Sequence, residues 1–362
     1  MSEWKKVKLG DFISLQRGYD LTKDQFVSGP YPVVCSTSIM GYHKSYKVEA
    51  PGVVIGRSGT LGEVQYVTKN FWPHNTSLYV KDFKGNVPLF VFYFLKFFGT
   101  DNAGGGAAVP TLNRNHLYIH EIIIPSLSIQ QRIATILSRY DSLIENYQKQ
   151  IKLLGEAAQR LYKEWFVDLR FPGHENAKIV DGMPEGWEKK ALSEVSTLKA
   201  GGDKPDTVSE DITSDCNIPI YSNGTSNEGL YGYTKVAVIT EQSVTISARG
   251  SVGYTVLRRK PYVPIVRLIS VIPSNVYVGY LYFFLKNTTL NSNGAAQQQI
   301  TIPMIKNKEI TIPCDSIINL FKKKVEPLFA QTDMLKEQIR LLTEGRGRLL
   351  PKLMSGEINV NR

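Results

Sequence analysis

The sequence predicts an α+β fold in which two similar β-rich globular domains are joined to two long helices. The main observation is an internal repeat. The stretch that begins at Gly106 returns at Gly294 (294 − 106 = 188), and the same offset relates Pro125 to Pro313. An offset that does not drift indicates two copies of one structural unit, including a long helix of constant length.

The N-terminal part of each copy varies more in length. Trp4 corresponds to Trp187 (187 − 4 = 183), whereas Gly56 corresponds to Ser247 (247 − 56 = 191). Segments such as GVVIGRSG, GEVQYVTK and SLYVKDF are β-branched or aromatic and are bounded by turn residues, which is typical of short strands. The run VPLFVFYFLKFF at 87–98 predicts a buried helix. We therefore expect compact α+β domains at residues 1–126 and 187–314.

Residues 127–166 and 315–362 are each predicted to form a long helix. Their apolar residues are three and four positions apart, which predicts a coiled-coil seam with one stutter. The predicted seam and partner-docking residues are Ile133, Ile136, Tyr140, Ile151, Leu154, Leu161, Phe321, Leu328, Leu335, Ile339, Leu342 and Leu349. An internal two-fold would pair the helices antiparallel. The alternative is that each helix packs only on its own domain. Residues 167–186, rich in Pro, Gly and charge, are predicted to be the linker.

Composition favours a polyanionic partner. The 362-residue chain has a net charge of +10, which favours nucleic acid first and an anionic membrane surface second. The alternative is a charge that serves only solubility. Its three cysteines are widely spaced and without a CxxC pair, which suits a reducing compartment. The N-terminus lacks an apolar signal core, and the run 87–98 is too short to span a bilayer. We expect a cytoplasmic protein that does not enter a membrane.

The sequence carries none of the common catalytic signatures. GxxxxGK[ST], HExxH and GxSxG do not occur in it. All five histidines lie in the first half, so the repeat does not duplicate a histidine site. His116 and His120 are predicted to lie on a strand-like stretch, as structural or surface residues. We expect no catalytic, cofactor-binding or metal-binding residues in this chain.

Glycine-rich turns occur in both copies and are candidates for nucleic-acid contact. One carries Arg57, Ser58 and Thr60, and the other carries Arg249 and Ser251. An arginine beside small hydroxyls can bind phosphates or reach guanine O6 and N7. The alternative is a hairpin turn with a solvated arginine.

Two further pairs of loops combine small polar residues with other groups that suit nucleic acid. Residues 35–46 and 221–235 add Gly-Tyr and lysine, and the Gly-rich stretch after 104 corresponds to a Gln-rich stretch after 294. Such loops suit base and backbone contact, and ordinary solvated loops are the alternative. The full set of candidate DNA-binding residues is Ser36, Thr37, Tyr42, His43, Lys44, Arg57, Ser58, Thr60, Asn75, Arg114, Ser222, Asn223, Tyr233, Lys235, Arg249, Ser251, Gln297, Gln298 and Lys306.

Three segments of the chain form a further pattern: LYKEWFVDLRFPG, the following GMPEGWEKKALSEV, and the C-terminal RLLPKLMSGEI. Together they resemble the specificity subunit of type I restriction-modification enzymes. In the first copy, IPSLSIQQRIATILSRYDSLIE resembles the family's entry into its central helix, and CDSIINLFKKKVEPLF in the second copy departs from it. The resemblance covers essentially the whole chain. Its most specific parts are the helices and the junction between them.

The resemblance implies a prokaryotic, non-catalytic subunit that reads double-stranded DNA. Each target-recognition domain would read one half of a bipartite, asymmetric site, and the helices would set the gap, roughly one to one and a half duplex turns of ~34–36 Å. The helices would also dock two modification subunits, which bind S-adenosylmethionine and methylate adenine at N6. Restriction subunits would supply translocation and cleavage driven by ATP with Mg²⁺.

Two other functions remain open from the sequence. One is a single-chain methyltransferase or nuclease, which would need a cofactor-binding glycine motif and an [DN]PP[YF] loop, and the sequence has neither. The other is a coiled-coil scaffold that binds proteins in place of DNA.

Overall fold

The computed structural model describes residues 4–59, 61–99, 111–289 and 299–360. The chain forms two compact units. Unit 1 contains Met1–Lys149 and Lys336–Arg362, and unit 2 contains Gln150–Leu335. Both boundaries fall inside the long helices. Each unit therefore combines one β-rich domain with a part of both helices. The two units are not successive halves of the sequence, because unit 1 is made of two separate segments of the chain.

Unit 1 has the predicted mixture of short strands and helices. In chain order its elements are β1 (Trp4–Lys8), α1 (Leu9–Phe12), β2 (Ser14–Arg17), β3 (Tyr31–Val34), β4 (Ile39–His43), β5 (Gly52–Gly56), β6 (Val64–Val67), β7 (Trp72–Pro73), β8 (Ser77–Asp82), α2 (Pro88–Phe98), α3 (Arg114–Tyr118), β9 (Glu121–Pro125) and the first part of α4 (Leu127–Tyr162). The buried helix predicted at 87–98 is confirmed as α2. The prediction of a strand-like stretch at His116 is wrong, because His116 lies in the helix α3.

Three sheets build the part of unit 1 that the structure describes. Their strand orders are β1-β9, β2-β8-β5-β6 and β4-β3-β7, and the β3–β7 pair is parallel. Strand β5 is buried along its whole length, because successive side chains point to opposite faces that are both covered. Val53 and Ile55 share a core with Phe90 and Phe94 of α2, while Val54 belongs to a separate cluster.

Unit 2 repeats this arrangement. In chain order its further elements are β10 (Ile179–Val180), β11 (Met183–Pro184), β12 (Glu188–Ala191), α5 (Leu192–Val195), β13 (Ser196–Ala200), β14 (Ile218–Tyr221), β15 (Leu230–Thr234), β16 (Ser243–Ile246), β17 (Thr255–Arg258), β18 (Val263–Pro264), β19 (Ile269–Pro273), α6 (Val278–Asn287), α7 (Ile302–Ile305), β20 (Glu309–Ile312) and the first part of α8 (Asp315–Met354).

Among the described residues, three of the four sheets of unit 2 match those of unit 1, and the fourth is the two-stranded sheet β10-β11. The orders are β12-β20, β13-β19-β16-β17 and β15-β14-β18, again with one parallel pair, β14–β18. The pair Ile55↔Val64 of unit 1 corresponds to Ile246↔Thr255 of unit 2, 191 residues on (246 − 55 = 191). The internal repeat is confirmed at the level of register.

The two long helices are confirmed, with 36 residues in α4 and 40 in α8. At ~1.5 Å per residue they are about 54 and 60 Å long. In unit 1, the beginning of α4 packs against the end of α8, since Ile129 and Ile133 share a core with Leu353 and Met354. The two helices are therefore antiparallel in this unit. Gly345 leaves room for the ring of Tyr140, which would lie 3.5 Å from an added Cβ.

In unit 2, the end of α4 packs against the beginning of α8. The Phe321 ring lies 6.4 Å from the Tyr162 ring and 5.9 Å from the Trp165 ring. The helices are thus antiparallel here too. Of the predicted seam, Ile133, Phe321 and Leu335 are buried. The others, Ile136, Tyr140, Ile151, Leu154, Leu161, Leu328, Ile339, Leu342 and Leu349, are half-buried.

The buried stripe of the helices is wider than the predicted seam at their domain-bound ends. Leu137 and Val325 are fully buried although the seam omits them, whereas Leu143, which continues the seam spacing, is 43% exposed. The reason is that the ends of the helices pack on a domain core as well as on each other, which buries an additional face.

Candidate nucleic-acid interface

Three loops of unit 1 meet beside the ends of β3, β5 and β7. They are residues 35–38, the Gly-rich turn 56–59 and 61–62, and residues 74–76, which together we name loop cluster 1. The N–H groups of Arg57 and Ser58 donate to the Thr76 carbonyl at 2.9 and 3.1 Å. The Ser36 hydroxyl lies 2.7 Å from the carbonyl oxygens of both Ser58 and Thr76 and donates to them. Gly59 has a φ of +81°, which favours glycine.

The equivalent loops of unit 2 are residues 222–229, 247–253 and 265–267, which we name loop cluster 2. Here an asparagine joins the loops. The Ala248 N–H donates to Asn223 Oδ1 at 2.7 Å, and Asn223 Nδ2 donates to the Val266 carbonyl at 2.6 Å. Asn223 is equivalent to Ser36 (223 − 36 = 187), as β14 is to β3. Ser36 joins the loop after β3 to the Gly-rich turn of its unit, and Asn223 does the same for the loop after β14.

The two candidate arginines are not structurally equivalent. Leu112 N–H donates to the Arg57 carbonyl, and its counterpart Ile300 donates to the Ala248 carbonyl. Arg57 therefore corresponds to Ala248, and Arg249 corresponds to Ser58. This agrees with the offset of 191 that relates Gly56 to Ser247 in the sequence. The two arginines occupy successive positions of the same turn, and Arg57 is half-buried whereas Arg249 is exposed.

The structure also separates exposed candidates from buried ones. Six candidate residues are half-buried: Arg57, Ser58, Asn75, Ser222, Asn223 and Tyr233. Eight are exposed: Thr37, Tyr42, Lys44, Arg114, Lys235, Arg249, Ser251 and Lys306. Thr60, Gln297 and Gln298 lie outside the described residues.

Two candidates, Ser36 and His43, hold the domain together and do not face solvent. His43 is 6% exposed, its Nδ1 accepts the Val27 N–H at 3.1 Å, and its ring packs 5.2 Å from the Trp72 ring. Ser36 is 7% exposed and bonds two loop carbonyls. These partners establish a structural role for both residues, because buried polar groups are normally hydrogen-bonded within the protein, while their contact with DNA stays a prediction.

Three other candidates bond within their own domain. Arg114 Nη1 donates to the Leu15 carbonyl at 3.2 Å, and Asn75 donates to Asp20. Asn223 uses both ends of its amide, as described above. For these residues a structural role is established, while contact with nucleic acid stays a prediction.

The edge strands β4 and β15 place aromatic and basic side chains at matching positions. Tyr42 corresponds to Tyr233 and Lys44 to Lys235, each 191 residues apart (233 − 42 = 191). Tyr42 is 53% exposed, and both lysines are exposed. The prediction that these loops are related in kind therefore has a structural basis.

Sequence reasoning missed two groups. Arg258, in β17, is 4% exposed and lies below loop 222–229. The exposed loop tip, Thr225, Ser226 and Asn227, was not singled out either. The sequence does contain a signal for this loop. The repeat offset is 187 between Tyr31 and Ile218 but 191 between His43 and Thr234, which places a four-residue insertion in the loop of the second copy.

Among the residues described, no three His, Cys, Asp or Glu side chains are grouped so that they could hold a metal ion. Within the same residues, no helix is long and apolar enough to cross a membrane. What the loop clusters present is a set of hydroxyl, amide, aromatic and basic groups on a rigid β scaffold. Such a set is suited to binding a polar, anionic polymer.

The fold and the two loop clusters define a protein with two related recognition domains on paired long helices. The family model for the type I restriction modification DNA specificity domain matches residues 1–154 and again residues 184–343. The chain belongs to this family.

Named relatives agree with that assignment. The specificity subunit of the type I restriction enzyme MjaIX from Methanocaldococcus jannaschii is 32% identical over 281 residues, which cover 71% of this chain and 65% of that protein. The chain thus spans just under two thirds of that relative. A putative type I specificity subunit from Mycoplasma pneumoniae is 23% identical and is matched over 95% of its length and 93% of this chain.

A solved structure supports the fold. The crystal structure of a type I restriction-modification system S subunit from M. genitalium matches with a TM-score of 0.64 and 19% identity, covering 97% of this chain and 96% of that one.

Proposed function

We propose that this chain is the DNA-reading subunit of a type I restriction-modification complex. Loop cluster 1 reads one half of a bipartite, asymmetric site and loop cluster 2 reads the other. The chain directs adenine-N6 methylation, and restriction, that are carried out by partner subunits. The observation that carries the proposal is that one scaffold occurs twice with different loops.

The difference between the loops supports asymmetry of the site. The loop after β3 has four residues, 35–38, whereas the loop after β14 has eight, 222–229. The equivalent turn positions hold Arg57 and Ala248, and then Ser58 and Arg249. Two domains with different donors and acceptors at the same places read different base pairs. The net charge of +10 adds affinity that depends on salt but not on sequence.

The exposed faces of the long helices support a docking role for partner subunits. The predicted seam residues are used within the chain, but other apolar residues of the helices face solvent. In unit 2, Leu320 and Met334 of α8 are 40% and 51% exposed. In unit 1, Leu143 of α4 and Leu341 of α8 are 43% and 53% exposed. Exposed apolar residues on long helices suit contact with other helices.

In this proposal the cofactors belong to the partners. Two modification subunits bind S-adenosylmethionine and methylate adenine, and restriction subunits use ATP and Mg²⁺. Methylation requires the adenine to leave the base stack, so the pocket for that base belongs to the modification subunit.

The test is to purify the chain with its modification subunit and to map methylated adenines on genomic DNA by methylation-sensitive sequencing. We expect a single motif with two defined halves and an undefined gap. Methylation without a bipartite motif would overturn the proposal. A complex that has no affinity for DNA at low salt would favour a protein-binding scaffold. Methylation by this chain alone would favour a single-chain methyltransferase.

A further inference from the structure

Arg258 is a buried arginine that forms hydrogen bonds with β16 and with loop 222–229. Its Nε donates to Thr245 Oγ1 at 3.0 Å, and its Nη2 donates to the Glu228 carbonyl at 2.6 Å. Its Cζ lies 3.5 Å from the centre of the Tyr221 ring, and its Nη1 lies 3.7 Å from Glu228 Oε2. A buried guanidinium is costly without such partners. The side chain therefore couples the β17 strand firmly to loop 222–229.

The loop that Arg258 holds has an unusual backbone. Asn227, Glu228 and Gly229 have φ values of +46°, +55° and +81° in succession. Side chains other than glycine are disfavoured in this region and persist there when their surroundings hold them. The base of the loop is closed by the Ser222 N–H, which donates to the Gly229 carbonyl at 2.8 Å. The contact from Arg258 to the carbonyl of Glu228 lies at the centre of the left-handed run.

The arrangement presents a small polar tip to solvent. Thr225, Ser226 and Asn227 are exposed, while Glu228 is half-buried and Gly229 is buried. The tip carries hydroxyl and amide groups but no formal charge. Asparagine can bond adenine through N6 and N7, and a serine or threonine hydroxyl can bond any base edge. Because the tip carries no cation, its contacts with DNA depend on hydrogen bonds and not on attraction to the phosphate charge.

Unit 1 lacks both features. The position of Arg258 is held by Val67 (258 − 67 = 191), and that of Tyr221 is held by Val34 (221 − 34 = 187). Both valines belong to one apolar cluster. The loop there is four residues shorter. The arginine and the longer loop thus occur together in one copy and are replaced together in the other.

We propose that Arg258 is a positioning residue of the second recognition domain, and that it holds the tip 225–227 in place to read base edges of the second half-site. This inference rests on the proposed function. It assigns the specificity of one domain to a short loop whose shape depends on a residue that does not itself touch DNA.

The tip is tested first, in the complex of the full chain with its modification subunit. The site recognised by the unaltered complex is mapped, and binding is then measured to duplexes with each base pair substituted singly. For Asn227→Ala and Ser226→Ala we expect discrimination to fall by about tenfold at one or two positions of the second half-site. Preferences at the first half-site stay unchanged. Unchanged preferences at every position in both variants would overturn the inference.

The positioning role is tested with Arg258→Lys, which keeps the charge but cannot make the same fork of hydrogen bonds. We expect it to relax the positions that the tip variants relax. Lys260→Met, which removes an exposed charge two residues away, is the control and should weaken binding slightly and equally for all sequences. An Arg258→Lys complex with unaltered base preferences would remove the positioning role. If that variant does not fold, the two tip variants still decide the inference.

The outcomes separate the inference from the proposed function. An unaltered complex without a bipartite motif overturns the proposed function. A bipartite motif that tip and Arg258 variants leave intact overturns the inference alone.

Discussion

Loop clusters 1 and 2 join equivalent loops, but through different side chains and different hydrogen bonds. A hydroxyl at Ser36 and an amide at Asn223 occupy equivalent positions, and each ties its loop to the neighbouring Gly-rich turn. The strands beneath them share one register. Backbone hydrogen bonds, which almost any sequence can supply, maintain the scaffold. The loops are therefore free to differ, and recognition can change while the fold is kept.

The same two units differ in how a domain is fixed to the long helices. In unit 1, Asp141 of α4 accepts the Tyr93 hydroxyl and pairs with Arg346 of α8. In unit 2, Glu326 of α8 accepts the Tyr277 hydroxyl at 2.7 Å and pairs with Arg259 at 2.6 Å. Each unit thus has one carboxylate that a tyrosine and an arginine share, at positions the repeat does not relate. The repeat preserves the apolar packing, and each copy has its own polar contact.

The largest expected effect tests the shared apolar packing. Phe321 and Ile133 are equivalent (321 − 133 = 188) and are 0% and 1% exposed. We expect Phe321→Ala to lower the free energy of unfolding by about 3–5 kcal/mol and Ile133→Ala by about 2–5 kcal/mol. Urea unfolding that is monitored by hydrogen exchange should show the loss of stability from each substitution in its own unit. A loss in both units from either substitution would contradict the division into two compact units.

A second comparison concerns two glycines with the same φ of +81°. A Cβ on Gly229 would lie 2.4 Å from the Ser222 carbonyl, whereas a Cβ on Gly59 would have no atom within 4 Å. We expect Gly229→Ala to lower the free energy of unfolding by about 1–3 kcal/mol and to weaken binding to the second half-site. Gly59→Ala should cost about 1 kcal/mol from backbone conformation alone. Thermal unfolding and duplex binding measure the two effects, and equal costs would show that the close contact is relieved by small shifts.

The third comparison uses the two arginines of the Gly-rich turns. Arg57→Ala should weaken recognition of one half-site, and Arg249→Ala that of the other, by about 1–3 kcal/mol each at the base pairs contacted. Binding to duplexes that carry substitutions in one half at a time measures this. Lys69→Ala, an exposed change in unit 1, serves as the control. Equal losses at both halves would indicate phosphate contacts without base readout.

The smallest expected effect concerns pH. Burial opposes ionisation of Glu326, but hydrogen bonds from Tyr277 and Arg259 outweigh it and lower the pKa of this carboxyl below its ordinary value. A lowered pKa in the folded state gives stability that is present above the unfolded pKa, about 4.3, and is lost as pH falls through the folded pKa. Because the side chain is partly exposed, we expect about 1 kcal/mol or less.

The variant Glu326→Gln should therefore flatten the dependence of unit 2 stability on pH below about 5. Urea unfolding at about pH 3.5, 4.5 and 7, which lie below, near and well above the ordinary glutamate pKa of about 4.3, measures it. Glu156→Gln is the matched control, because its carboxylate is exposed and its contact with Lys152 is a long 3.9 Å. An identical pH profile for the unaltered chain and Glu326→Gln would remove Glu326 from the pH dependence.

Much of the architecture was predictable because its signals are local or repeated. The fixed offset of 188 residues and the three-four spacing of apolar residues predicted both long helices, and α4 and α8 begin at Leu127 and Asp315. The apolar run at 87–98 predicted α2. Such patterns depend on helical geometry and on burial of one face, and both can be read from neighbouring residues.

The candidate interface was less predictable, because burial of a loop residue depends on distant segments. His43 lies in a segment whose composition is typical of a surface loop. In the structure, however, its ring packs against Trp72 and it accepts a hydrogen bond from the Val27 N–H. His116 was expected on a strand and lies in α3, a five-residue helix too short to show a period.

By itself, the sequence determined that the chain is a repeat of one α+β unit with two long helices, because periodicity and internal similarity are properties of the chain. The tertiary structure decided which side chains of the loops are free to contact a ligand. It buries Ser36 and His43, and it places Arg258 beneath loop 222–229. These outcomes follow from contacts between segments that are far apart in the chain, and no local pattern encodes such contacts.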